Sequence, residues 1–225
     1  MSSNPPGARA QGAETAQAES SRRVKAAATE TALKSAALRV FERRGYINAK
    51  ITDITAEAGR SAGSFYSHFP NKESLLETLL VDWIREMGQE LAGDTIQHDL
   101  MDREHLRWHV GVVWTTYKRH RPLLIALEEA AIISETFAQR LRSLRYDETS
   151  LLRSHLDEAR ASGVMLPGRS AVLASAIVSL LGQFCRVWVL EGGEPAARQL
   201  SDDEAIDTLT DLLLHGLAGR SSGST

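Results

Sequence analysis

Residues Gly45–Leu76 read GYINAKITDITAEAGRSAGSFYSHFPNKESLL, and this stretch decides the fold. Upstream of it, Leu33, Ala36, Ala37, Val40 and Phe41 recur at helical spacing over about Thr29–Arg44, and Gly45 stops that helix as a C′ glycine does. A second helix is predicted over Thr52–Ala58, with Ile54 and Ala58 on its inner face, and Gly59 makes the turn that follows. Ser61 is a good N-cap, because its hydroxyl can accept from an otherwise unpaired backbone N–H. A third helix therefore runs from it to about His68. Pro70 resists continuation and biases Phe69 out of the helix. Asn71 then caps a long fourth helix with Glu73 in its first turn. Two short helices joined by a tight turn, between longer supports, form the pattern of a helix-turn-helix.

That pattern suits duplex DNA. A reading helix must enter a major groove about 12 Å wide, so it needs a slim polar start and an apolar underside. Ser61, Ala62, Gly63 and Ser64 supply the start, and Phe65 and Phe69, at i and i+4, supply the docking face. Tyr66 and His68 can reach phosphates or base edges. Lys72 brings a charge and free backbone N–H groups at a helix start, a natural phosphate site, and Thr52 can act in the same way. Arg60 in the turn is a further phosphate candidate, and Arg22, Arg23 and Lys25 form a basic arm.

The net charge of −3 on 225 residues alone argues against nucleic acid, but its distribution does not. From Arg22 to Lys72 ten Lys/Arg face four acids, a local +6, while the chain after Lys72 carries −8. A basic module on an acidic body can hold phosphate locally and stay soluble. The hydrophobic share of 43% suits a globular core, and the single Cys185 excludes an intramolecular disulfide. Residues 1–21 hold no apolar signal segment and few core formers, and are expected to be a disordered tail. The uncharged run Ser170–Cys185 is short for a membrane span and fits a buried helix. A cytoplasmic protein with no membrane partner is expected.

GY, DIT-AEAG, S-AGSFYSHF and NKESLL, with their spacing intact over about residues 30–76, resemble the DNA-binding segment of the TetR family of bacterial regulators. Two positions depart from the usual pattern: Lys50 stands where Thr or Ser often caps the second helix, and Arg60 where Val commonly follows Ala-Gly. The resemblance implies a homodimer on a double-stranded DNA operator, a C-terminal helical bundle that binds a small-molecule effector, and repression relieved by that effector. An activator or ligand-independent regulator is the alternative, as is a helical enzyme or interaction module with a vestigial DNA segment.

The rest of the chain is helical in pattern, with candidates at Lys72–Leu91, Asp102–Arg119, Pro122–Ser134, Glu135–Ser162, Ser170–Glu191 and Ser201–Leu217. Breaks fall at Gly93, Arg121-Pro122, Gly163 to Gly168 and Gly192 to Pro195. The expected fold is all-α: a tail over 1–21, a three-helix DNA-binding domain over 22–71, a ligand-binding and dimerisation bundle over 72–218, and a flexible end over 219–225. Ile206, Leu209 and Leu213 form one apolar stripe and Val172, Ala176 and Leu180 another, the two expected to pair across a two-fold axis. Trp108, Val112, Tyr117, Phe137, Phe184 and Trp188 are the candidates for an effector pocket. Arg186 lies in an otherwise uncharged helix and needs a partner: Glu128, Glu129 or a ligand acid.

No nucleophile elbow, phosphate loop or His-Glu-x-x-His motif occurs, so no catalytic residue is expected. His105 and His109 stand at i, i+4 with Asp102 one turn earlier, but nothing in the sequence completes a metal site. These residues read as a solvated polar face, with no metal and no cofactor expected.

Overall fold

The computed structural model describes residues 7–92, 101–194 and 200–217. Among them the chain is helical throughout and divides into two compact units, Met1–Glu77 and Thr78–Thr225. The division falls inside one helix rather than at its start. The breaks expected at Gly93 and Pro195, and the end segment 219–225, lie outside the described residues.

The first unit holds α1 (Gly7–Asn48), α2 (Ile51–Ala58), α3 (Ala62–Tyr66) and the start of α4 (Lys72–Ala92). α1 begins at Gly7, so the helical backbone continues through much of the segment expected to be disordered. The composition there is rich in Ala, Glu and Gln, which favour helix without any packing. Residues 20–28 are exposed all round, so the basic residues Arg22, Arg23 and Lys25 sit on a solvated helix rather than on an extended arm. Gly45 breaks α1 with φ 72° and ψ 160°. Leu33, Ala36, Ala37, Val40 and Phe41 are buried with Ile54, Phe65, Leu75 and Leu76. This is the inward face that the helical spacing predicted.

α2 starts one residue earlier than expected. Lys50, its N-cap, has no acceptor to offer; the Asp53 carboxylate instead accepts from the Lys50 backbone N–H at 3.1 Å. α2 ends at Gly59 with φ 62°, a left-handed conformation that costs any L side chain strain. The Arg60 N–H closes that turn on the Thr55 carbonyl at 2.9 Å.

The second unit contains the remainder of α4, then α5 (Arg103–Arg119), α6 (Arg121–Ile133), α7 (Glu135–Ala161), α8 (Ser170–Cys185), a π-helical turn (Arg186–Leu190) and α9 (Asp202–Leu217). Asp102 and Ser134 cap α5 and α7 through their side chains at 2.8 and 3.2 Å. Leu106, Val110 and Trp114 of α5 are buried with Ile206, Leu209 and Leu213 of α9. Charge fixes that register: Arg103 reaches Asp207 and Asp211, Arg107 reaches Asp203 and Asp207, and Lys118 reaches Asp202.

Ser170–Leu190 is 21 residues long and apolar enough, by length and composition, to cross a membrane. The sequence suggested a buried helix. In the structure α8 buries Ala174, Ile177 and Cys185 on one side and leaves Val172, Ala176 and Leu180 exposed on another. Burial pushes the Cys185 thiol up to about 12, which keeps it protonated and inert near neutral pH.

Candidate nucleic-acid interface and cavity

α3 is built to present one face. Ser61 has extended backbone and its hydroxyl accepts the Ser64 N–H at 3.1 Å. Phe65 is fully buried and Phe69 is 4% exposed, with their rings 5.7 Å apart. Ala62, Gly63 and Tyr66 are exposed, Tyr66 by 58%, and Ser64 is half-buried. The helix is shorter than its predicted run to His68. The His68 N–H turns onto the Phe65 carbonyl at 3.0 Å, and its half-buried ring rests beside Phe69. Thr52 is exposed at the start of α2, and Arg60 is exposed with its guanidinium on the adjacent Gly59 carbonyl at 3.3 Å.

The +6 of this region is partly consumed inside the unit. Arg39 and Arg43 grip Glu57 at 2.7 and 2.6 Å, and Arg44 reaches Asp53 at 3.4 Å. Hydrogen bonds from Arg39 and then Arg43 hold the Glu57 carboxyl below its ordinary range. Lys72, expected to offer its charge to phosphate, is turned inward. Its ammonium donates to the Tyr46 and Ala49 carbonyls at 2.5 and 2.8 Å and lies 4.2 Å from the Tyr46 ring centroid. Burial, and then the nearby Glu73 charge, push the Tyr46 phenol up to about 12, so it stays neutral beneath the ammonium. Among the described residues Arg22, Arg23, Lys25, Lys50 and Arg60 carry charge with no acid partner.

The second unit encloses a half-open cavity of about 920 Å³ among α4, α5, α6, α7 and α8. Of the six aromatic and aliphatic candidates only Tyr117 lines it. Phe137 is 1% exposed inside the core, while Phe184 lies between Trp114 and Trp188 with ring centroids 5.9 and 6.1 Å away. Trp188 also fits against Gly193, where a Cβ would come within 2.7 Å of the indole. Trp108 is 39% exposed and meets His109 edge-on, and half-buried Val112 is absent from the cavity wall. Sequence reasoning missed Trp83, Leu124 and Leu141, which do line it. The signal for them was weak, because a residue that walls a void has the same helical spacing as one that fills a core.

Arg186 lies on the π-helical turn at the cavity edge, 2.5 Å from Glu128 and 2.8 Å from Glu191. Its partner from α6 is therefore Glu128. Arg121 donates to the Val189 and Leu190 carbonyls at 2.9 and 3.1 Å, satisfying backbone groups freed by the widened turn.

Two expectations are corrected. Ile206, Leu209 and Leu213 do not face outward to a second copy; they are 9%, 1% and 6% exposed within one chain, because the Arg–Asp ladder docks that side of α9 on α5. His105 is not on a solvated face; it is 9% exposed, with its Nε2 2.9 Å from that of His109, and Asp102 is spent on the α5 cap. Among the described residues no three His, Cys, Asp or Glu side chains are grouped to hold a metal ion.

Comparison with known proteins follows this division. The family profile described as bacterial regulatory proteins, tetR family, matches residues 33–79. The chain is similar to the HTH-type transcriptional repressor NicS of Pseudomonas putida, 27% identical over 140 residues, 60% of this chain and 65% of that protein. For three such curated relatives, NicS among them, the chain spans 34%, 65% and 39% of their length. In fold it is similar to the fatty acid degradation regulator FadR from Bacillus halodurans, with a TM-score of 0.70 at 21% identity, covering 85% of this chain and 97% of that one. It is also similar in fold to AibR in complex with isovaleryl coenzyme A and operator DNA, with a TM-score of 0.63 at 20% identity, covering 83% and 98%.

Proposed function

Since the chain belongs, through its N-terminal module, to the TetR family of bacterial regulatory proteins, we propose that it is a ligand-responsive transcriptional repressor. The observation that carries this reading is the exposed slim face of α3, with Tyr66 outward above the buried Phe65 and Phe69, in a region of net positive charge. The reading has Ser61, Ala62, Gly63, Ser64 and Tyr66 meet the base edges, and Thr52, Arg60 and His68 meet the flanking phosphates. Lys72 contributes through the backbone N–H groups at the start of α4, its ammonium being engaged elsewhere.

The protein acts as a homodimer on a near-palindrome whose half-sites lie about 34–36 Å apart. The dimer surface in this reading is the exposed apolar side of α8, with Val172, Ala176 and Leu180, the first two also bordering the cavity, together with Leu212 of α9, which is 55% exposed. NicS is named a repressor, which supports repression, and AibR is described with an acyl coenzyme A and an operator, which supports a small amphipathic effector. The effector occupies the cavity of the second unit. It lowers operator affinity to the extent that it prefers a dimer whose reading helices are wrongly spaced, about 1.4 kcal/mol of preference for each tenfold loss.

The test is fluorescence anisotropy with labelled DNA from upstream of the protein's own gene against a scrambled fragment, at two salt concentrations. Selective binding that weakens with salt supports the reading. Equal binding to both fragments, when fragments from a genome-wide selection also fail to discriminate, overturns it.

A further inference from the structure

The cavity of the second unit carries charge that its own packing does not consume. Among the described residues its lining includes Arg142, Arg153 and Arg186 against one acid, Glu128. Arg186 is held by Glu128 and Glu191, and Arg142 by Glu135 at 2.7 Å. Arg153 lines the same cavity from α7 and, among the described residues, has neither an ion pair nor a hydrogen bond. Among the described residues its exposed guanidinium is the lining cation without an acid partner.

A second, independent feature points to a ligand. Trp83 of α4 lines the cavity, is 6% exposed, and its indole N–H has no acceptor among the described residues. A buried donor without a partner loses its hydration and gains nothing in return, and native structures rarely leave one so. The nitrogen is covered by the wall, so an acceptor atom on a molecule in the cavity restores the bond through a small shift of the lining over it. Much of the rest of the wall is apolar, including Leu80, Ile84, Leu124 and Leu127. The volume of 920 Å³ falls in the range of about 300–1,000 Å³ typical of small-molecule sites.

We propose that the cavity binds amphipathic organic carboxylates, with Arg153 as the head-group cation and the Trp83 indole as a further donor. The proposal rests on the reading of the cavity as the effector site. One free guanidinium matches one monoanion, and its planar fork can grip both carboxylate oxygens at once. The apolar wall takes the hydrocarbon body. A cationic amphiphile of the same length is repelled, and a neutral one gains burial alone.

The test is isothermal titration of the full chain with three ten-carbon probes kept below aggregating concentrations: decanoate, 1-decanol and decylamine. Decanoate binds about tenfold or more tighter than decanol, as expected of a charge-assisted hydrogen-bonded pair. Arg153→Gln brings decanoate to the level of decanol and leaves decanol unchanged. Trp83→Phe weakens decanoate while far-ultraviolet dichroism retains its helical signal. Equal affinity for decanoate and decanol, preference for decylamine, no binding of any probe, or no effect of Arg153→Gln each overturns the proposal. The same samples enter the DNA anisotropy assay, which separates the two readings. Carboxylate selectivity without any effect on DNA leaves the site standing and removes its regulatory role. Intact operator binding without carboxylate selectivity removes this proposal alone.

Discussion

Replacing Lys72 by Met separates two roles that the residue could have. The substitution keeps most of the aliphatic stem and deletes the ammonium. That group donates to the Tyr46 and Ala49 carbonyls at 2.5 and 2.8 Å and stacks on Tyr46 at 4.2 Å. Hydrogen bonds involving a charged group are each worth about 1.5–3 kcal/mol, and an exposed cation–π contact about 0.5–1 kcal/mol. The site is half-buried, so the low end applies, and the expected loss is about 2–4 kcal/mol. At about 2–4 °C per kcal/mol for a chain of this size, the melting midpoint falls by roughly 4–16 °C. DNA binding gives the contrasting signal. Each phosphate contact by a cation adds about −0.9 to the slope of log K against log salt. Lys72→Met leaves that slope unchanged at a temperature where the module is folded, whereas Arg60→Ala reduces its magnitude by about 1. A melting midpoint within about 1 °C of the parent, combined with a slope reduced by about 1, would refute the inward role of Lys72 and return it to the DNA.

Other expectations concern the second unit and the dimer. Hydrogen bonds from Lys118 and then Trp114 hold the Asp202 carboxyl below its ordinary value of 3.8. A depressed folded-state value means that its stabilisation is present above that ordinary value and is lost as pH falls through the lower one. Thermal melts of Asp202→Asn therefore fall less steeply with acid than those of the parent; identical pH profiles would contradict this. Leu209→Ala, at a site 1% exposed, costs about 2–5 kcal/mol in denaturant unfolding. Leu180→Glu, on the exposed side of α8, halves the mass in sedimentation equilibrium without lowering helicity. A Leu180→Glu variant that stays dimeric moves the interface elsewhere.

The division of labour between sequence and tertiary structure is clearest in pairs of residues with the same local signature. Phe65 and Phe69 were legible as a docking face, since their i, i+4 spacing below a capped start allows one arrangement only, and both are buried. The turn at Gly59 and the cap at Ser61 were legible for the same reason: each is a contact between residues a few positions apart. The stripe Ile206, Leu209, Leu213 was equally legible as apolar, but not what it would meet. The Asp residues beside it find Arg103 and Arg107 about a hundred positions upstream, and those long-range pairs turn the stripe inward.

Lys72 looked free because its acceptors are backbone carbonyls, which every residue carries and no side-chain pattern marks. The cavity was hidden for a related reason. Tyr117 walls it while Phe137 fills the core, and helical periodicity places both on an apolar face without measuring the space in front of them. The sequence by itself determined most of the helices, the Ser61 cap and the slim exposed face of α3, because those depend on near neighbours. Only the tertiary structure decided which stripes are consumed, which cations are neutralised and where a void remains, because each depends on groups that meet across the fold.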